Sequence, residues 1–305
     1  MRIAHFSDLH LLSMDEVPIR RFLNKRLTGW ANLRLKRKSI HRASYVRAIT
    51  REVARSDVDH IVVTGDLTNL ALESEFVAAL DILRRDLGPD ASRLSIVPGN
   101  HDVYTRGSMR SRRFEGFFAP WLTSDLPAMA VDVGGARFPI VKIRGPVAIV
   151  SLTTAVPRPP FVAAGELGDA QLEALSRILG HPEVSTRTVV LAMHHPVVQS
   201  HSTIKDHMEG LRDGPALLSI LRGLPRGLVL HGHLHRRIRR VITTHTGSID
   251  QVGATSASLH HVEPDRMAGF NLYNCDSEGV SRVEAMVYDP QSDRFHSATV
   301  PEPSR

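Results

Sequence analysis

The chain has 305 residues, 42% of them hydrophobic, a formal net charge of +6 and one cysteine, Cys275. That length suits one large domain or two small ones, with a sizeable core. A lone cysteine excludes an internal disulfide framework and any thiolate metal cluster, and Cys275 reads as a semi-buried small hydrophobe.

In chain order, short apolar runs that read as buried strands fall at 2–7, 60–64, 94–97, 138–143, 147–152, 189–193, 228–230, 241–244 and 269–275, with a last pair within 280–288. Apolar residues at three- and four-residue spacing predict helices over 40–55, 72–87, 167–179 and, more briefly, 213–221. Gly180-His181-Pro182 stops the third of these. Strands alternate with helices in the first half and crowd together in the second, the pattern of a mixed α/β fold rich in sheet. No Pro/Gly/Ser-rich linker divides the chain. The expectation is one domain over 1–300, with an embellishment at about 13–38 and a loose tail at 301–305. Met1-Arg2 leads directly into Ile3-Ala4-His5-Phe6, and Asp8 interrupts any apolar signal core. No run is long enough to span a bilayer, so the chain reads as cytosolic or attached to the cytosolic face of a membrane.

Polar residues cluster where the strands stop. The first strand ends in Ser7-Asp8-Leu9-His10, the second in Thr64-Gly65-Asp66-Leu67-Thr68-Asn69, and the third in Pro98-Gly99-Asn100-His101-Asp102. Two later strands run into His194-His195-Pro196 and into His231-Gly232-His233-Leu234-His235. Loops at strand ends carry chemistry, and these five point to one shared sheet edge. Each piece alone is weak: Asp-x-His is common by chance, and Gly-Asp often marks only a turn or a helix cap. Together they form a donor set of carboxylates, one amide and several imidazoles without thiols. Such a set suits manganese, iron, zinc, nickel or cobalt. Two such ions roughly 3.5–4 Å apart, bridged by one carboxylate, clamp a phosphoryl group and generate hydroxide at neutral pH.

The order Asp8-x-His10, Gly65-Asp66, Gly99-Asn100-His101-Asp102, His194, Gly232-His233-x-His235 resembles the calcineurin-like metallophosphoesterases and extends from residue 8 to residue 235. The resemblance implies a four-layer αββα sandwich with two central mixed β-sheets and a dimetal site at their shared edge. It implies that Asp8, His10 and His235 hold one divalent ion, that Asn100, His194 and His233 hold the other, and that Asp66 bridges them. Manganese or iron are the foremost ions. A hydroxide between the metals would attack phosphorus in line. His101 would contact the phosphoryl oxygens or protonate the leaving group, with Asp102 orienting it. Asn69 and His195 stand beside ligand positions, where ordinary hydrogen bonding and a substrate role are both open. On a strand His231 shares a face with His233, and it either lines the pocket or is a satisfied core histidine.

The positive charge is local. Residues 17–51 contain no Asp or Glu but eleven Lys and Arg, so the rest of the chain carries +6 − 11 = −5. Leu23, Leu27, Trp30 and Leu33 fall on one helical face, ringed by cations. This stripe suits an anionic membrane surface through residues 20–38, or packs on the protein body. Nucleic-acid binding is a weaker reading, since one interleaved Trp is thin for base stacking. Arg106, Arg110, Arg112 and Arg113 follow one motif, and Arg236, Arg237, Arg239 and Arg240 follow another. They suit a substrate with more than one phosphate, or surface salt bridges. Lys25-Arg26-Leu27-x-Gly29-Trp30-x-Asn32 is similar to inserts of family enzymes acting on lipid-linked phosphates, such as the UDP-2,3-diacylglucosamine pyrophosphatases of lipid A synthesis. Cyclic-nucleotide and glycerophosphodiester phosphodiesterases share the same motif set. A non-catalytic metal-binding scaffold is a reading of another class, against which the filled ligand positions speak.

Overall fold

The structure is a computed structural model that describes residues 1–12, 41–88, 90–198 and 203–302. The basic stretch at 13–38 and the end of the tail, 303–305, lie outside the described residues. The first half contains β1 (Arg2–Phe6), α1 (Ala43–Arg55), β2 (His60–Val63), α2 (Glu73–Leu87), β3 (Leu94–Ile96), α3 (Arg106–Arg110), α4 (Arg113–Phe118), β4 (Val131–Val133), β5 (Ala136–Phe138), β6 (Ile140–Arg144) and β7 (Val147–Ser151). The second half contains α5 (Asp169–Leu179), α6 (Pro182–Ser185), β8 (Thr188–Ala192), α7 (Thr203–Glu209), α8 (Gly214–Leu221), β9 (Arg226–His231), β10 (Ile238–Thr243), β11 (Ser248–Gly253), β12 (Gly269–Asp276), β13 (Gly279–Asp289) and β14 (Arg294–Ala298).

Two six-stranded mixed sheets form, in the orders β14-β13-β12-β1-β2-β3 and β10-β11-β9-β8-β7-β6. Strand alternation explains why they stack. Ile3 and Val62 point between the sheets, where they meet Val190, Leu228 and Tyr273. Their neighbours Ala4, Phe6, Ile61 and Val63 point outward, against Val46 and Ile49 of α1 and Phe76 and Leu83 of α2. On the far side, Val150, Leu191 and Val229 meet Leu175 and Ile178 of α5 and Leu217 of α8. The result is the expected αββα sandwich. Cys275 is 2% exposed within the inter-sheet core, and burial pushes its thiol up to about 12, which keeps it an inert filler. No helix among the described residues is long and apolar enough to cross a membrane.

The expectation of a pair of strands within 280–288 is corrected. One eleven-residue strand, β13, spans the region and pairs with β14 further on. The run 138–143 is divided at Pro139 between β5 and β6. Parallel pairing of β1 with β2 and β2 with β3, and of β7, β8, β9 and β11 in the other sheet, brings their carboxyl ends to common edges. The five polar motifs grow from those ends.

Candidate metal centre

The loops after β1 and β2 extend their sheet in register: Asp8 N donates to Gly65 O at 2.9 Å and His10 N to Asp66 O at 2.9 Å. Between the sheets, His233 N donates to Asp8 Oδ2 at 3.1 Å, and within the second sheet Gly232 N donates to His194 O at 3.1 Å, extending the β8–β9 pairing. Close packing explains the motif glycines. A Cβ at Gly99 would fall on Asp66 Oδ1, and one at Gly232 on Ser7 Oγ and Asp8 Oδ2. Asp8, His10, Asp66, His233 and His235 all have positive φ, between 45° and 66°, a conformation that costs energy for residues with a Cβ. Strain of this kind persists only where surrounding contacts over-determine it, and here it falls on five of the seven candidate ligands.

Two clusters result. His235 Nε2 lies 2.9 Å from His10 Nε2 and 3.1 Å from Asp8 Oδ1. Asn100 Oδ1 lies 3.1 Å from His194 Nε2 and 3.2 Å from His233 Nδ1. Asp66 stands between them, with Oδ2 3.4 Å from His194 Nε2 and 3.9 Å from His10 Nε2. Atoms bound at about 2.1 Å to one ion lie roughly 3 Å apart, so both clusters fit a cation, and the donor types suit a first-row divalent metal. Backbone carbonyls fix the rings: His194 Nδ1 donates to Thr64 O at 2.7 Å, and His233 Nε2 to Glu209 O at 2.8 Å. Each then turns its other nitrogen toward Asn100.

Electrostatics point the same way. Burial works to raise the Asp66 carboxyl, yet the charges of His194 and His101 hold it well below the usual carboxylate range. Burial works to lower His194, but the charge and hydrogen bond of Asp66, with Asp8 behind it, raise that imidazole to about 9. Two buried carboxylates demand positive charge, and divalent cations would meet that demand. His233, by contrast, is lowered to about 3 by burial and then by His194.

His101 sits on the Asp66 side, its N–H donating to Asp66 Oδ1 at 2.8 Å and its ring 5.0 Å from that of His10. The expectation that Asp102 orients it needs correction. Asp102 accepts from Gly99 N at 2.9 Å, Leu67 N at 3.2 Å, Thr68 N at 2.9 Å and Thr68 Oγ1 at 3.0 Å. It therefore ties the loops after β2 and β3 together. The carbonyl of Asn69, 2.6 Å from His101 Nδ1, does the orienting, while Asn69 Nδ2 donates to His10 O at 2.5 Å. Asn69 thus braces the centre from behind.

That loop is held in turn by Glu75, whose Oε2 accepts from Leu70 N at 2.9 Å and Leu72 N at 3.1 Å. Burial pushes the Glu75 carboxyl up to about 8, against the opposing pull of those backbone donors. Between the unfolded carboxyl's ordinary value near 4.5 and about 8, the unfolded chain ionises and the folded chain keeps its proton. Glu75 therefore lowers stability as pH rises through that window, by up to roughly 1.4 kcal/mol per pH unit. Glu75→Gln should flatten this dependence and gain on the parent between pH 5 and 8 in urea unfolding; a constant difference across pH would refute the assignment.

The structure gives the other predicted residues these surroundings. His195 is fully buried, with Nδ1 2.8 Å from Thr154 Oγ1 and Nε2 2.7 Å from Ala163 O, and it packs on His233. His231 is fully buried and lowered to about 4 by burial, as a core histidine. Arg236 pairs with Asp265 at 2.6 Å, Arg239 with Asp250 at 3.0 Å, and Arg237 is buried on Pro264 O at 2.6 Å. Arg106 is exposed at the start of α3. One imidazole escaped sequence reasoning: His41 stands 5.0 Å from the His10 ring and 5.9 Å from the His235 ring. It lies some thirty residues beyond Asp8-x-His10 and in no motif.

Comparison with known proteins gives a consistent picture. Residues 1–237 match the family described as calcineurin-like phosphoesterase. A probable cyclic nucleotide phosphodiesterase of Synechococcus sp. (strain WH7803) is 26% identical over 268 residues, covering 86% of this chain and 85% of that protein. A cAMP/cGMP dual specificity phosphodiesterase of Mycobacterium tuberculosis (strain CDC 1551 / Oshkosh) is 30% identical over 292 residues, covering 86% of this chain and 76% of that protein. A solved dimetal phosphatase from Danio rerio shares the fold, with a TM-score of 0.58, 16% identity, and coverage of 93% of this chain and 94% of that one.

Proposed function

Because the chain belongs to the calcineurin-like phosphoesterase family, and so is a metal-dependent phosphoester hydrolase, we propose that it cleaves the diester bond of 3′,5′-cyclic nucleotides. The observation that carries the reading is the pair of donor clusters joined through Asp66. The names of the two curated relatives supply the substrate class. Asp8, His10 and His235 would hold one ion, and Asn100, His194 and His233 the other, with Asp66 shared. Bound there, two divalent cations, manganese or iron foremost, supply Lewis acidity and hydroxide at neutral pH. The chain's own part is positional and protic. Thr64 O and Glu209 O fix the ligand tautomers. Asn69 O anchors His101 through Nδ1, so that Nε2 is the nitrogen to pass a proton to the departing 3′ oxygen.

A lipid-linked diphosphate is the second reading, and its support is the basic, Trp-bearing sequence at 20–38. A panel at fixed manganese separates the two: cyclic AMP, cyclic GMP, a glycerophosphodiester, a phosphomonoester and UDP-2,3-diacylglucosamine. The cyclic nucleotides are expected to give the highest kcat/KM. Preference for the lipid substrate, together with loss of anionic-liposome binding on deleting residues 22–38, would overturn this in favour of the second reading.

A further inference from the structure

On the outer side of the first sheet, α1 and the strands β13 and β14 enclose a cavity of about 310 Å³ that none of the seven proposed metal ligands lines. Arg47, Arg51 and Arg55 form its helical wall. They are four residues apart, so one helix face presents three guanidinium groups at steps of about 6 Å. Among the described residues, none of the three forms an ion pair or donates a side-chain hydrogen bond. Arginines on neighbouring elements are paired: Arg85 of α2 holds Asp81 at 2.7 Å, and Arg282 of β13 holds Glu284 at 3.1 Å. Like charges at this spacing work against a helix, so the fold itself gives no reason for the ladder.

The facing wall is aromatic. Tyr288 and Phe295 are register partners on β13 and β14, with ring centroids 5.1 Å apart, and Phe295 is only half-buried. Tyr288 is fixed by the ring of Tyr45 on α1, 4.9 Å away, and by its hydroxyl, which donates to Asp293 Oδ1 at 2.7 Å. Asp293 and Glu52 complete the lining as acceptors, and neither pairs with the arginines. Guanidinium groups hold phosphates in bidentate fashion, aromatic faces pack against heterocyclic bases, and carboxylates accept from hydroxyl and amino groups. The two acids work against an extended polyanion such as a nucleic-acid strand, and the enclosed volume suits a small molecule. We infer that this cavity binds a nucleoside di- or triphosphate. The phosphates lie on Arg47, Arg51 and Arg55, the base packs on Phe295, and Glu52 and Asp293 take up hydroxyl and amino donors.

The test is calorimetric titration of the metal-loaded protein with β,γ-methylene-ATP, whose terminal phosphate resists hydrolysis, and with methylenediphosphonate, which lacks the nucleoside. The parent, Arg51→Glu, Arg55→Ala and Asn100→Ala are compared, with thermal melts to show that each is folded. The nucleotide analogue should bind the parent saturably and at least tenfold more tightly than the diphosphonate. Arg55→Ala should weaken it about tenfold, the worth of one charged hydrogen bond, and Arg51→Glu should weaken it further. Asn100→Ala should still bind it, and Arg51→Glu should keep the parent's kcat/KM for bis(p-nitrophenyl) phosphate. No binding by the parent, or undiminished binding by Arg51→Glu, would overturn the inference. So would equal affinity for the diphosphonate, or binding lost in Asn100→Ala but kept in Arg51→Glu, which would put the ligand in the metal centre. None of these results touches the proposed function.

Discussion

Asp66→Ala is expected to reduce kcat for a phosphodiester by roughly 10³-fold or more, since it removes more than a single transition-state contact of the kind worth about 10²–10³. Three contacts go at once. Oδ2 leaves His194 Nε2 (3.4 Å) and His10 Nε2 (3.9 Å), so the two clusters lose their shared carboxylate. Oδ1 leaves the backbone N–H of His101 (2.8 Å), so the loop after β3 loses its tether to the centre. His194 also loses the first favourable charge that holds its proton, so burial returns its imidazole toward neutrality. Steady-state kinetics with bis(p-nitrophenyl) phosphate at saturating manganese would register this, with a thermal melt to show that the variant is folded. Activity within about tenfold of the parent would mean that Asp66 bridges nothing.

His101→Ala should cost roughly 10²–10⁴ in kcat, the usual range for a lost general acid, while metal content holds. His101 is partly exposed, beside His10 and Asp66, and is not one of the seven proposed ligands. The size of the loss should follow the leaving group. A p-nitrophenolate departs with little help, whereas the 3′ alkoxide of a ribose needs a proton, so the cyclic nucleotide should suffer the larger loss. Equal losses for both substrates would assign His101 to binding phosphoryl oxygens alone.

Much of this centre could be read from sequence because its chemistry sits in short motifs after apolar strands. Asp8, Asp66, Asn100, His194 and His233 are each within a few residues of a run that alternation or hydrophobicity betrays. The glycines of those motifs are also sequence-visible, although their reason, the contact of one loop with the next, appears only in three dimensions. What stayed hidden has physical causes. The positive φ of His10 and His235 is imposed by tertiary contacts that no local propensity encodes. β11 reads as polar, yet Gln251 is buried within it because its amide exchanges bonds with Val198 N (2.9 Å) and Val198 O (3.0 Å). β14 is an edge strand with little apolar content to signal it. Asp102 looked like a partner for its sequence neighbour His101, but spacing alone could not reveal the unpaired amides of Gly99, Leu67 and Thr68 that claim it. His41 became visible only when the segment carrying Ser256 and Ser258 folded back over the end of β1.

On the proposed function, seven side chains hold two divalent ions around one shared carboxylate. Elemental analysis of the purified protein after manganese loading and removal of free metal tests it most directly. Two ions per chain are expected, with Asp66→Ala and Asn100→Ala each retaining clearly fewer. Fewer than one ion per chain in the parent, or undiminished metal in both variants, would contradict it.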